Sequence, residues 1–166
     1  MLKELYSQGH DFDTFMNGDG GEHVDKVLDF LKLSSEAITD SVKDKIMAVK
    51  PVHMIVFGEV WCPDCMINMA ALEAMCKLNS NIQYTIVKRD SNEEVLKSIT
   101  PDHSAKIPTF VSLSENYEVK GLFLEKPRVV KEVEAGDNQV DRIVVKRDYR
   151  NGKYLLNAIE ELLELL

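Results

Sequence analysis

Residues 52–65 read Val52-His53-Met54-Ile55-Val56-Phe57-Gly58-Glu59-Val60-Trp61-Cys62-Pro63-Asp64-Cys65. The stretch from Val52 to Phe57 is short, apolar and β-branched, which predicts a buried strand. It runs through Gly58 into a Cys-x-x-Cys step. From Met66 to Leu78 the pattern turns helical: Cys65, Met69, Leu72 and Cys76 recur at steps of four, three and four and form one inward stripe. The cysteine pair therefore falls where a strand hands over to a helix.

That location has a chemical consequence. Cys62 sits at the helix N-terminus, where unpaired backbone N–H groups and the positive end of the dipole favour a thiolate. The thiolate is the attacking species in disulfide exchange. Pro63 suits the first helical turn, where its missing N–H costs nothing. Cys65 lies one turn further in, within reach of the first sulfur, and can resolve a mixed disulfide formed at Cys62. The alternative use of such a pair is zinc binding. Zinc requires four ligands, and no second Cys-x-x-Cys or His pair completes a set, so no metal is expected. Cys76 reads as a small core residue, and Met66, Met69 and Met75 as core packing. Trp61, directly before Cys62, is expected to present an exposed face.

Upstream, Asn17-Gly18-Asp19-Gly20-Gly21 is a loop preceded by Phe12 and Phe15, which can dock on a core. Asp11, Asp13, Asn17 and Asp19 do not have the spacing of a calcium loop. Val24, Val27, Leu28 and Leu31 predict an amphipathic helix over residues 22–32. Ser34 or Ser35 is expected to cap the next helix, which carries Ala37, Ile38, Val42, Ile46 and Met47 and stops at Pro51. Downstream, residues 82–87 predict a strand, Asn92 to Ile99 a helix, Ile107 to Leu113 a strand opening at Pro108, and Gly121 to Leu124 its hairpin partner. Residues 125–150 are charged, with apolar islands at Val129-Val130 and Ile143-Val144-Val145. Tyr154 to Leu166 closes the chain as a helix. Helical crossovers predict parallel first strands, and the short last connection an antiparallel pair.

The 166 residues carry a net charge of −8 and are 45% hydrophobic, the balance of a folded domain with a core. The acidic balance disfavours nucleic acid and anionic membrane surfaces as partners. Neither a signal-peptide core nor a long apolar span is visible, so the expected location is the cytoplasm, where thiols stay reduced.

Trp61-Cys62-Pro63-Asp64-Cys65 after a buried strand, with Ile107-Pro108-Thr109 opening a later one, resembles the thioredoxin-like superfamily. The form is that of bacterial thioredoxin-family proteins with a Trp-Cys-Pro-Asp-Cys site. The resemblance covers roughly residues 35–124 and the last helix. It implies an α/β fold, a three-layer α/β/α sandwich with a mixed sheet. Residues 1–34 would then be a helical N-terminal extension and residues 35–166 the thioredoxin-like domain. It implies catalytic Cys62 and Cys65, a cis Pro108 beside them, and a substrate groove shaped by Trp61, Pro63, Asp64, Ile107, Pro108 and Thr109. The Ile107 backbone would hydrogen-bond an extended substrate. The activity implied is dithiol exchange without a cofactor. Its substrates would be disulfide-containing proteins or small molecules, and a thioredoxin-reductase-like donor would restore the dithiol.

Three departures accompany the resemblance. The family's buried acid in the strand before the site is replaced by Val56, leaving Glu59 as the nearest candidate for a proton relay. Pro63-Asp64 replaces the usual Gly-Pro. Residues 125–150 match nothing in the family pattern. The function classes left open are a disulfide reductase, a disulfide oxidant or isomerase, and a binding or scaffold protein that keeps the fold without turnover.

Overall fold

Strand β1 (Val52–Gly58) occupies the middle of the molecule because both of its faces are apolar. The computed structural model describes residues 1–18 and 20–166. Asp19, one residue of the loop expected at 17–21, lies outside the described residues.

β1 pairs in parallel with β2 (Ile82–Lys88), from Val52↔Ile82 to Gly58↔Lys88. On its other side it pairs antiparallel with β3 (Thr109–Leu113), from His53↔Leu113 to Phe57↔Thr109. β4 (Val119–Leu124) pairs antiparallel with β3, giving the order β2-β1-β3-β4. The sheet is mixed, as expected, but the direction of β3 corrects the expectation that all strands joined by helices run parallel. Helix α6 (Glu93–Ile99) and the segment after it begin and end at the same end of the sheet, so the chain re-enters beside Phe57 rather than beside Val52.

Alternation along β1 divides the core into two layers. Ile55 and Phe57, with Val87, Val111 and Leu113, meet Leu96 of α6 and Leu2 of helix α1 (Leu2–Gln8). Met54 and Val56, with Ile86, Phe110 and Phe123, meet helix α5 (Pro63–Leu78) on the opposite face. Helices therefore cover both faces, and the α/β/α sandwich is established. α5 is apolar nearly all round, with Met66, Ile67, Met69, Leu72 and Met75 all buried, because further helices cover its outer side. Each such side chain contributes about 1.5–3 kcal/mol of burial.

The covering helices include α3 (Val24–Ala37), which lays Val27, Phe30, Leu31 and Ser34 against that core, and α9 (Leu155–Leu163), with Leu155, Ala158, Ile159 and Leu162. α3 runs five residues past the predicted end at 32. Ser34 and Ser35 are not caps: their hydroxyls donate to the carbonyls of Phe30 (2.7 Å) and Leu31 (2.9 Å) one turn back, so the helix absorbs them. Position 34/35 thus lies inside a continuous helix. The cap of α4 (Asp40–Met47) is Thr39, whose Oγ1 accepts from the Val42 N–H at 3.4 Å. Leu28 and Met47, expected on inner stripes, are exposed, because the stripes actually used are narrower.

The N-terminal residues are more ordered than their sequence pattern indicates. His10 bridges Ile86 with reciprocal 2.8 Å backbone bonds. Asp11 caps helix α2 (Phe12–Met16) by accepting from Thr14 N–H at 2.7 Å, and Phe12, Phe15 and Met16 enter the core. Residues 125–150 form α7 (Arg128–Ala135) and α8 (Gln139–Arg150), which pack on each other. The Asn138 side chain caps α8, and Val130, Val145 and Tyr149 are buried. Among the described residues no helix is long and apolar enough to cross a membrane.

Candidate active site

The helix start predicted at the Cys-x-x-Cys step is present. Cys62 is the N-cap residue of α5, and Pro63 and Asp64 lie in its first turn. The Cys62 N–H donates to the Glu59 carbonyl at 3.1 Å, and the Cys62 carbonyl accepts from the Met66 N–H at 3.1 Å, closing the first helical turn. Both cysteines are free thiols.

The environment separates the two sulfurs chemically. Cys62 is held down to about 7 from an ordinary 9.0. The largest cause is the Cys65 thiol, which donates to its sulfur, followed in the same direction by the backbone N–H groups of Cys65 and Asp64; burial and the Asp64 charge oppose them. Cys65 is pushed well above 9.0, first by burial, then by the same hydrogen bond and by the neighbouring Cys62 charge. One sulfur is a ready nucleophile and the other a protected thiol. Gly58 keeps them close to the sheet: a Cβ there would come within 3.2 Å of the Cys65 Sγ and 3.4 Å of the Met69 Sδ.

Of the other residues singled out in the sequence, Ile107 is the one placed against a cysteine sulfur. The Ile107–Pro108 peptide bond is cis. The Ile107 carbonyl lies 4.0 Å from the Cys62 Sγ. Thr109 is fully buried, and its hydroxyl donates to the Lys106 carbonyl at 2.8 Å, holding the turn before β3. Trp61 is 53% exposed, with the Arg89 guanidinium 5.9 Å from its ring centre. Glu59 is buried, and its carboxylate accepts from the Asp90 N–H at 3.1 Å; its interaction with Cys65 is through its backbone. His103 is exposed, and its ring bonds the Lys97 carbonyl at 3.2 Å.

A polar cluster on the inner side of the site joins α5 to residues 125–150, the segment that was expected to lie outside the family pattern. The Asn68 side-chain amide donates to the Asp64 carbonyl (2.9 Å), the Glu125 carbonyl (2.9 Å) and the Tyr149 hydroxyl (2.8 Å). It thereby ties α5, the end of β4 and α8 together. Arg150 approaches the Asp64 carboxylate at 3.7 Å. Burial raises the Asp64 carboxyl above its ordinary value, while Lys126 and Arg150 pull it down. Lys126 in turn pairs with Glu134 at 2.9 Å and stands 5.8 Å over the Tyr149 ring. Asn68 and Tyr149 escape sequence reading because both look like ordinary helical residues. The signal in the sequence was Asn68 interrupting the otherwise apolar run from Met66 to Leu72. Among the described residues no group of three or more His, Cys, Asp or Glu side chains is placed to hold a metal ion.

The arrangement is that of a buried, activated thiol with a resolving thiol behind it and a backbone carbonyl beside it. The fold is similar to the crystal structure of a protein of unknown function from Pseudomonas aeruginosa, with a TM-score of 0.86 and 28% identity over 98% of this chain and 95% of that one. It is similar to an HIV epitope scaffold at a TM-score of 0.85, again with 28% identity and with 98% and 95% of the two chains covered. No curated protein matches the chain. The family model described as thioredoxin matches residues 9–141, and with the mixed sheet and the Cys62–Cys65 pair in place, the chain belongs to the thioredoxin family.

Proposed function

We propose that the protein is a thiol–disulfide oxidoreductase working in the reducing direction. The observation that carries the reading is the placement of two free thiols at the start of α5, Cys62 as its N-cap with the Ile107 carbonyl 4.0 Å away and Cys65 buried one turn further in; their opposed tuning agrees with it. The Cys62 thiolate attacks one sulfur of a substrate disulfide. A Cys62–substrate disulfide forms, and the other substrate sulfur leaves as a thiolate and takes a proton. Cys65 then loses its proton and attacks the Cys62 Sγ. The Cys62–Cys65 disulfide forms and the second substrate sulfur leaves as a thiol. Two electrons have passed to the substrate, and an external dithiol donor of the thioredoxin-reductase kind returns them.

A Cys62 pKa of about 7 supports a reductant. Strong oxidants of this fold stabilise their thiolate much further, with values near ~3.5. A reducing cytosol is the setting that fits this direction. Trp61, Pro63, Asp64 and Ile107 form the substrate-facing surface in this reading, and the buried Pro108 and Thr109, both expected on that surface, shape it from beneath. Glu59 stays the nearest candidate for the Cys65 proton in this reading, with its carboxylate engaged by the Asp90 N–H.

The test is reduction of a disulfide substrate with dithiothreitol as recycling donor. Wild type should turn over, Cys62→Ser should not, and Cys65→Ser should stall as a mixed disulfide on Cys62. A reduction potential near ~−270 mV fits the proposal, and one near ~−120 mV reverses the direction of transfer. Absence of both turnover and trapping would leave only the binding-protein reading.

A further inference from the structure

Helix α8 is the most solvent-exposed helix around the site, burying only Val145 and Tyr149 fully. Residues 142, 146 and 150 follow one another at steps of four, so Arg142, Lys146 and Arg150 share one side of the helix. All three are exposed. At ~1.5 Å per residue this basic stripe is about 12 Å long. Its last member, Arg150, is the one that approaches Asp64 beside the cysteine pair, so the stripe leads into the site. Among the described residues Arg142 and Lys146 make no ion pair, whereas Arg147 and Lys153 are both spent on Asp148, at 3.0 and 2.7 Å. Arg142, Ile143 and Lys146 line one open depression together with Asp137 and Gln139. Next to the stripe, Val140 is 67% exposed and Ile143 61%, an apolar ridge at i and i+3.

We propose that this face of α8 docks an acidic, partly apolar segment of the protein whose disulfide reacts at Cys62. The proposal rests on the redox reading of the site and adds a partner class to it. The complementarity is local. The chain as a whole carries −8, which repels an acidic partner at a distance. Salt screens that field within about 8–10 Å, so at contact the free cations of α8 outweigh it. An extended segment covers ~3.3 Å per residue. Lys146 and Arg142 lie about 6 and 12 Å along the helix from Arg150, so the acidic residues that reach them should stand about two and four residues beyond the one that meets Arg150. The flanking ridge accepts one or two apolar side chains of the same segment.

The experiment compares three disulfide-linked peptides with acidic, neutral and basic flanks, together with bis(2-hydroxyethyl) disulfide as a flankless substrate. Wild type should reduce the acidic peptide with a kcat/KM about tenfold above the neutral one at low salt, and the preference should collapse in 0.5 M salt. Arg142→Glu/Lys146→Glu should invert the order of acidic and basic peptides and leave the flankless disulfide unchanged. Labelled peptides with serine in place of cysteine report docking by anisotropy without any chemistry. If the flankless disulfide is not turned over, the redox reading fails, while the serine peptides still decide the docking. Equal kcat/KM or equal binding for all three flanks overturns the proposal. So does loss, in the double variant, of binding to an anionic vesicle or an oligonucleotide where no peptide preference exists.

Discussion

Replacing Cys65 by Ala removes the hydrogen bond that does most to lower the Cys62 pKa, while leaving the backbone donors of Asp64 and Cys65 in place. At a value of about 7 roughly half of Cys62 is thiolate at pH 7, against about one in a hundred at the ordinary 9.0. Intrinsic nucleophilicity falls as the pKa falls, by about six- to tenfold over this span, so the net gain in alkylation rate at pH 7 is about five- to eightfold. In Cys65→Ala the titration midpoint should move up by about one pH unit, leaving about a tenth of Cys62 ionised at pH 7. Cys65→Ser keeps an O–H donor at the same place and should move the midpoint less. The measurement is the pH dependence of iodoacetamide alkylation of Cys62, followed by mass spectrometry under reducing conditions, with Cys76→Ser as background. Equal midpoints in wild type and Cys65→Ala, or equal displacement by Ala and Ser, would refute the assignment of the Cys65 thiol as the principal donor.

Cys62 also makes stability depend on pH. Its folded value is depressed, so its contribution is fully present above the unfolded value of 9.0 and is lost as pH falls toward the folded value of about 7; urea midpoints of the reduced protein should rise from pH 7 to 9, and Cys62→Ser should flatten that rise. Asp64→Asn removes a charge that raises the Cys62 pKa but ranks behind burial and two hydrogen bonds, so alkylation should show a small downward move of the midpoint and the redox potential a small increase. Asn68→Leu strands the buried Tyr149 hydroxyl and two carbonyls, and should cost about 2–3 kcal/mol in denaturant unfolding; Tyr149→Phe should cost about 1 kcal/mol. Gly58→Ala forces a Cβ against the Cys65 and Met69 sulfurs, side chains that the core holds in place; it should destabilise by ~1–3 kcal/mol and slow resolution of the mixed disulfide in rapid-quench trapping.

How much of this was legible in the chain depends on the range of the forces involved. The run from Val52 to Cys65 determined the strand, the helix start and the position of the two sulfurs, because apolar continuity, Pro63 at the first turn and the helix dipole are local properties. Ile107-Pro108-Thr109 marked the second wall of the site by its likeness to a family motif. The direction of β3 was not readable, since it depends on which end of the sheet a connection returns to. Nor were the ends of α3 and α4, where Ser34 could either cap a helix or continue one, and the packing of α3 on α5 decided for continuation. Residues 125–150 held the largest gap. Their charged pattern is equally compatible with a loop, and only docking on α5 shows that Tyr149 is core and that Arg150 faces Asp64. The sequence by itself determined where the thiol chemistry sits. The tertiary structure decided what surrounds it, because Tyr149, Lys126 and Arg150 meet Asp64 and its helical neighbour Asn68 across separations in the chain that no local rule spans.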